Sequence, residues 1–109
     1  RYNAALADVV DVPMLLDGCS STWAQYTIRL RGRDRAALAA SLKAAGIPTA
    51  IYYPRPLHRQ TAYAAYPAAG NGLPVSDRLA AEVISLPMHP YLDASLQDRI
   101  IEKLRECLA

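Results

Sequence analysis

The stretch Gly46-Ile47-Pro48-Thr49-Ala50-Ile51-Tyr52-Tyr53-Pro54-Arg55-Pro56-Leu57-His58-Arg59-Gln60-Thr61-Ala62-Tyr63 decides how the rest of the chain is read, because it gathers aromatic, imidazole and proline residues behind a glycine. Gly46 suits the left-handed position just past a helix end, and Thr49 to Tyr53 is a short run with β preference. Pro54 and Pro56 then stop the strand, since neither donates a ladder hydrogen bond and each biases the residue before it toward extended backbone. The expectation is a stiff arm leaving a strand end and holding Tyr52, Tyr53, Arg55, His58 and Gln60 in one region. Restricted loops at strand ends are where binding groups tend to sit.

The surrounding sequence reads as scaffold for that arm. Upstream, Tyr26, Ile28 and Leu30 alternate with Gln25, Thr27 and Arg29, which predicts a half-buried strand over Trp23 to Leu30. Asp34 is an N-cap candidate, and Ala37, Leu38, Ser41, Leu42 and Ala45 form one stripe of a helix that Gly46 ends. Tyr2 and Leu6 at helical spacing suggest the tail of a longer helix, so that the chain was cut from a larger protein, or a first turn that frays.

Downstream, Thr61 to Ala69 predicts one or two helical turns. Pro74 suits the first turn of a helix with Val75, Leu79 and Val83 every four residues. Val83 to Leu86 predicts a third strand ended by Pro87, and Met88 to Leu92 a proline-stiffened turn. Asp93 or Ser95 caps a last helix striped by Leu96, Ile100, Leu104 and Leu108. The order is strand, helix, strand, arm, helix, strand, helix. That predicts an α/β (α+β) two-layer sandwich, a small mixed or antiparallel sheet with helices on one face, with residues 1–22 a linker or the end of a connecting helix and 23–109 the core.

A chain of 109 residues, 52% hydrophobic and 20% charged, fits one globular domain able to bury a core. No apolar run approaches the roughly 20 residues that span a bilayer, and no charged-then-apolar leader opens the sequence. The expectation is a cytoplasmic protein that does not engage membranes. Cys19 and Cys107 are too few and too far apart for a disulfide framework and read as free thiols. A net charge of +2 is too small to imply nucleic-acid binding. Arg29, Arg31, Arg33 and Arg35 cluster around Gly32, but no aromatics interleave with them as single-strand binders require. They read as a solvated strand-to-helix turn rather than a phosphate patch.

Chemistry of the chain's own is hard to find. Neither cysteine has a histidine near it in sequence, and no Gly-x-Ser-x-Gly elbow is present. His58 and His89 lie in separate proline loops, short of the three or four ligands zinc needs. Each candidate also has a plain structural account. One of Tyr52 and Tyr53 would face the core if they alternate along a strand. His58 could cap a loop by bonding a carbonyl, and His89 could simply fill a turn.

The motifs Arg33-Asp34, Gly46-Ile47-Pro48-Thr49, Tyr52-Tyr53-Pro54, Pro56-Leu57-His58, Gln60, Tyr63 and Leu86-Pro87-Met88-His89-Pro90 together resemble the C-terminal part of the DegT/DnrJ/EryC1/StrS family of sugar aminotransferases. They occur in order over nearly the whole chain. The resemblance implies the C-terminal small domain of a fold-type I pyridoxal-phosphate (PLP) enzyme, which moves an amino group from glutamate or glutamine to a nucleotide-linked keto-sugar in polysaccharide or antibiotic sugar biosynthesis.

It further implies a homodimeric parent whose N-terminal catalytic domain is a partner missing from this sequence. Carried over by position, Tyr52, Tyr53, His58 and Gln60 are the substrate-binding residues. Where many members have histidine before the second aromatic, this chain has Tyr52, which keeps stacking and hydroxyl bonding but removes an imidazole base.

Schiff-base chemistry needs a lysine held against the cofactor. The only lysines, Lys43 and Lys103, fall on the polar sides of amphipathic helices. The chain alone is therefore expected to bind no cofactor or metal, to hold no catalytic residue, and to be inactive. The competing expectation is a free-standing α/β small-ligand-binding or regulatory module without catalysis.

Overall fold

Tyr26, Ile28 and Leu30 are all buried, as their alternation requires. In the computed structural model, which describes residues 1–109, they belong to or directly follow strand β1 (Tyr26–Arg29). This strand pairs antiparallel with β2 (Val83–Leu86) in the register Tyr26↔Leu86, Thr27↔Ser85, Ile28↔Ile84, Arg29↔Val83. The ladder starts three residues later than the sequence suggests. Trp23 sits at φ 49, a left-handed backbone that cannot join an extended ladder. Its half-buried ring instead packs 5.8 Å from that of Tyr26.

Single bridges flank the two strands, Asp11 against Arg29 on one side and Ala50 against Ser85 on the other. Ser85 spends both backbone groups on Ala50, at 2.7 and 3.1 Å. Its pairing with Thr27 is then the close, non-hydrogen-bonded kind, and the two hydroxyls meet at 2.8 Å. The strand expected over Thr49 to Tyr53 is reduced to this one bridge. Pro48 and Pro54 stand on either side of it and can donate nothing to a longer ladder.

Four helices accompany the sheet: α1 (Tyr2–Leu6), α2 (Arg35–Ala44), α3 (Pro74–Glu82) and α4 (Ala94–Leu108). Asp34 caps α2 by accepting from the Ala37 amide at 2.9 Å, and Asp93 caps α4 by accepting from Leu96 at 2.8 Å. After α2, Gly46 takes φ 75. That turn lets Gly46 N–H reach Lys43 O and Ile47 N–H reach Leu42 O, a Schellman closure that turns Ile47 into the core.

One face of the sheet meets the helices. Ile28, Ile84 and Leu86 share a core with Leu38 and Leu42 of α2, Ile100, Ile101 and Leu104 of α4, and Tyr2 and Leu6 of α1. Each buried aliphatic side chain contributes on the order of 1.5–3 kcal/mol. The first turn does not fray: Tyr2 is buried and its hydroxyl donates to the Pro87 carbonyl at 3.0 Å, while Arg105 of α4 grips Ala5 O and the Asp8 carboxylate.

Two helical expectations are corrected. Residues 61–70 are all exposed, so a helix there would have no face to bury, and short helices without packing are marginal. One 3₁₀ turn, Thr61–Tyr63, stands where one or two turns of α-helix are expected over Thr61 to Ala69, and a second, Leu57–Arg59, precedes it in the arm. In α3 the buried residue is Ala80 rather than a Val75–Leu79–Val83 stripe. Val75 is exposed, and Val83 already opens β2.

Candidate functional site

Ala50 is the last residue that the sheet holds. From Ile51 to Gly72 no backbone hydrogen bond leaves the segment, and between Ile47 and Ala80 no residue is buried. The proline-braced arm thus projects from the edge of β2 as the sequence suggests, but not as a strand continuation. Tyr52 and Tyr53 do not divide between core and surface. They are 45% and 72% exposed, with rings 6.0 Å apart edge to face. Alternation is a property of a paired strand, and pairing has stopped at Ala50.

Two grooves meet at Tyr52. The first, about 470 Å³, runs under the arm and is bounded by Tyr53, Arg55, Gln60, Ser76 and Val83 as well as Tyr52. The second, about 440 Å³, lies between the arm's base and α4 and is bounded by Pro48, Tyr52, Pro87, His89 and Leu96. Tyr52 is therefore a ridge with its ring available to either side. Gln60 is half-buried, closes the Leu57–Arg59 turn through its N–H to Leu57 O at 3.0 Å, and faces the first groove. His89 is exposed, in a turn closed by the Leu92 N–H on the His89 carbonyl.

His58 is not tied to a carbonyl. Its Nε2 lies 3.0 Å from Asp77 Oδ1 on α3. The same carboxylate takes the Arg59 guanidinium through two bonds, at 3.0 and 2.8 Å. Arg59 holds the Asp77 carboxyl below the usual carboxylate range, with partial desolvation opposing and His58 helping. Sequence reasoning passed over Asp77, a polar residue in the first turn of a proline-started helix. Nothing in a periodic pattern couples it to basic residues 18 and 19 positions earlier.

The arginine cluster is spent on structure. Arg29 bonds Glu82 and neighbours Asp11, Arg31 bonds Asp11, Arg33 reaches Leu108 O, and Arg35 bonds Ala80 O and Val83 O. These bonds clamp the β1–α2 turn to neighbouring elements, while residues 31–34 stay exposed to solvent as the sequence suggests. Cys19 and Cys107 are free thiols, no group of three or more acidic, histidine or cysteine side chains could hold a metal, and no helix is long and apolar enough to cross a membrane.

Lys43 is exposed in the last turn of α2 and Lys103 pairs with Glu106 at 2.9 Å on α4, and neither borders the grooves of the arm.

Comparison with known proteins places this geometry. The chain is 46% identical over 96 residues to the UDP-2-acetamido-2-deoxy-3-oxo-D-glucuronate aminotransferase of Pseudomonas aeruginosa, a match covering 87% of this chain and 25% of that relative. A DegT DnrJ EryC1 StrS aminotransferase structure from Brucella abortus superposes with TM-score 0.94 at 52% identity, over 100% of this chain and 29% of that one. Bacillus subtilis NtdA, solved with bound cofactor PMP, superposes with TM-score 0.83 at 28% identity over 99% of this chain and 26% of its own.

The chain thus spans between 25% and 29% of the length of these relatives. The family model for the DegT/DnrJ/EryC1/StrS aminotransferases matches residues 1–105. With the motifs of the arm in place on the same fold as these structures, the chain belongs to the DegT/DnrJ/EryC1/StrS aminotransferase family.

Proposed function

We propose that this chain is the C-terminal small domain of a longer, PLP-dependent aminotransferase that transfers an amino group from glutamate or glutamine to a nucleotide-linked keto-sugar. In this reading the domain contributes Tyr52, Tyr53, His58 and Gln60 to the sugar-nucleotide site and supports a homodimer. Its own residues include no catalytic group. The cofactor's lysine and other contacts belong to the N-terminal catalytic domain of the parent, and the 109-residue chain by itself does not transaminate.

The observation that carries this reading is the exposure of both phenols, Tyr52 on the ridge between two grooves and Tyr53 beside it on the first, on a chain that matches about a quarter of relatives named as sugar aminotransferases. An exposed aromatic face with a hydroxyl at its tip suits a ligand that offers a flat base to stack and a sugar to hydrogen-bond. The Pseudomonas relative is named for a UDP-linked 3-oxo sugar, which has that chemistry.

The test is visible absorption of the longer parent loaded with PLP. Glutamate should convert the cofactor spectrum to that of its aminated form, and a keto-sugar nucleotide should restore it. No response to any keto-sugar nucleotide would overturn the reading.

A further inference from the structure

The arm poses a mechanical problem. Residues 51–72 have no backbone hydrogen bond to the rest of the chain and bury no side chain, yet the proposed site needs Tyr52 and Gln60 at fixed positions. Only one side chain outside the segment bonds to it. Asp77, on the first turn of α3, accepts from His58 Nε2 at 3.0 Å, from Arg59 Nε at 3.0 Å and from Arg59 Nη2 at 2.8 Å. The two donors are consecutive residues of the Leu57–Arg59 turn, so one carboxylate fixes both the position and the rotation of that turn.

Asp77 is itself held firmly. Its backbone N–H bonds the carbonyl of Leu73, the residue before α3, at 3.0 Å, and α3 runs directly into β2 of the core sheet. The path from core to arm is therefore β2, α3, Asp77, then the turn. At the arm's other end Ala50 is bonded on both backbone groups to Ser85 of the same strand. Between these two anchors the chain carries Pro54 and Pro56, whose rings fix φ. Tyr52, Tyr53 and Arg55 hang from a bridge clamped at both ends, and the Leu57 carbonyl accepts the Gln60 N–H at 3.0 Å on the clamped turn.

We propose that Asp77 is the positioning residue of the substrate arm, holding His58 and Arg59 so that Tyr52 and Gln60 stay in place for the sugar nucleotide. It touches no substrate and acts through the turn. A carboxylate that accepts from Nε2 also selects the ring form with hydrogen on Nε2, which leaves Nδ1 of a neutral His58 as an acceptor. The inference rests on the functional reading above only for its second readout.

Two measurements separate them. In the 109-residue chain, backbone amide order parameters of Leu57 to Tyr63 should lie near the rigid value of about 0.85 and fall below about 0.6 in Asp77→Ala, with β1, β2, α2 and α4 unchanged. Asp77→Glu, which keeps the carboxylate, should restore most of the rigidity. Order parameters equal in wild type and Asp77→Ala would overturn the proposal, and unchanged core values show that the variant folds.

In the longer enzyme, Asp77→Asn should raise KM for the keto-sugar nucleotide about three- to tenfold, as expected for weakening a partly exposed charged hydrogen-bond cluster, and leave KM for glutamate unchanged. Equal effects on both KM values, or none, would overturn the positioning role. A wild-type enzyme that aminates no keto-sugar would overturn the function while leaving the order-parameter result standing.

Discussion

The two halves of this molecule are built on opposite principles. In the half formed by α1, β1, α2, β2 and α4, a cluster of 14 buried residues joins every element. In the other half, from Pro48 to Leu79, no residue is buried, and Tyr53, Leu57, Tyr66 and Val75 are each more than half exposed. The first half shows what a chain this size does to stay folded. The second shows apolar and aromatic surface kept out of the core, which is what contact with something else requires. Substitutions should divide along the same line, with stability responding in one half and substrate handling in the other.

The largest expected effect is in the core. Leu42→Ala and Ile84→Ala each remove a fully buried side chain and should cost about 2–5 kcal/mol, read as a lower denaturation midpoint. A loss under about 1 kcal/mol at both sites would mean that this half is not close-packed.

High pH should come next. Burial pushes the Tyr2 and Tyr26 hydroxyls up to about 12, with the neighbouring Tyr26 charge adding to the shift of Tyr2. Above the ordinary tyrosine value of 10.0 the unfolded chain sheds these protons and the folded chain does not. The stability they contribute is thus whole below pH 10 and lost as pH rises toward about 12. Denaturant midpoints measured across that window should fall, and Tyr2→Phe should fall less steeply.

The N-cap of α2 is a smaller test. Asp34→Ala strips the acceptor from the Ala37 amide and should cost about 1 kcal/mol, whereas Asp34→Ser should cost little. Smallest of all should be the effect of the arm on folding. Tyr53→Ala, at an exposed position outside the core, should change stability by less than about 0.5 kcal/mol. A larger loss would blur the division between the halves.

That division also explains what could be read from the sequence. Asp34, Gly46, Pro74 and Asp93 announce their elements because capping and left-handed turns are local chemistry, and each sits where it was expected. The apolar rows of β1, α2 and α4 were legible because a shared core imposes a period on them. The exceptions are Ala37 and Ser41 of the α2 stripe, which are exposed, and Leu96 at the start of α4, exposed beside the groove where the row leaves the core.

The arm has no core to impose a period, so its residues looked strand-like and helical by propensity and became a single bridge and two 3₁₀ turns. The Asp77 cluster and the arginine clamps are long-range pairings of charged groups. Sequence offers the charges without their partners.

The central claim is that Tyr52 and Tyr53 face a sugar nucleotide in a larger enzyme. It is tested most directly by separating the two half-reactions of the longer parent carrying Tyr52→Ala and Tyr53→Ala together. Amination of the cofactor by glutamate should proceed at the wild-type rate, while return of the amino group to the keto-sugar nucleotide should slow at least tenfold at subsaturating sugar, in line with loss of buried aromatic contacts. Wild-type behaviour in both half-reactions, or equal loss in both, would contradict the account.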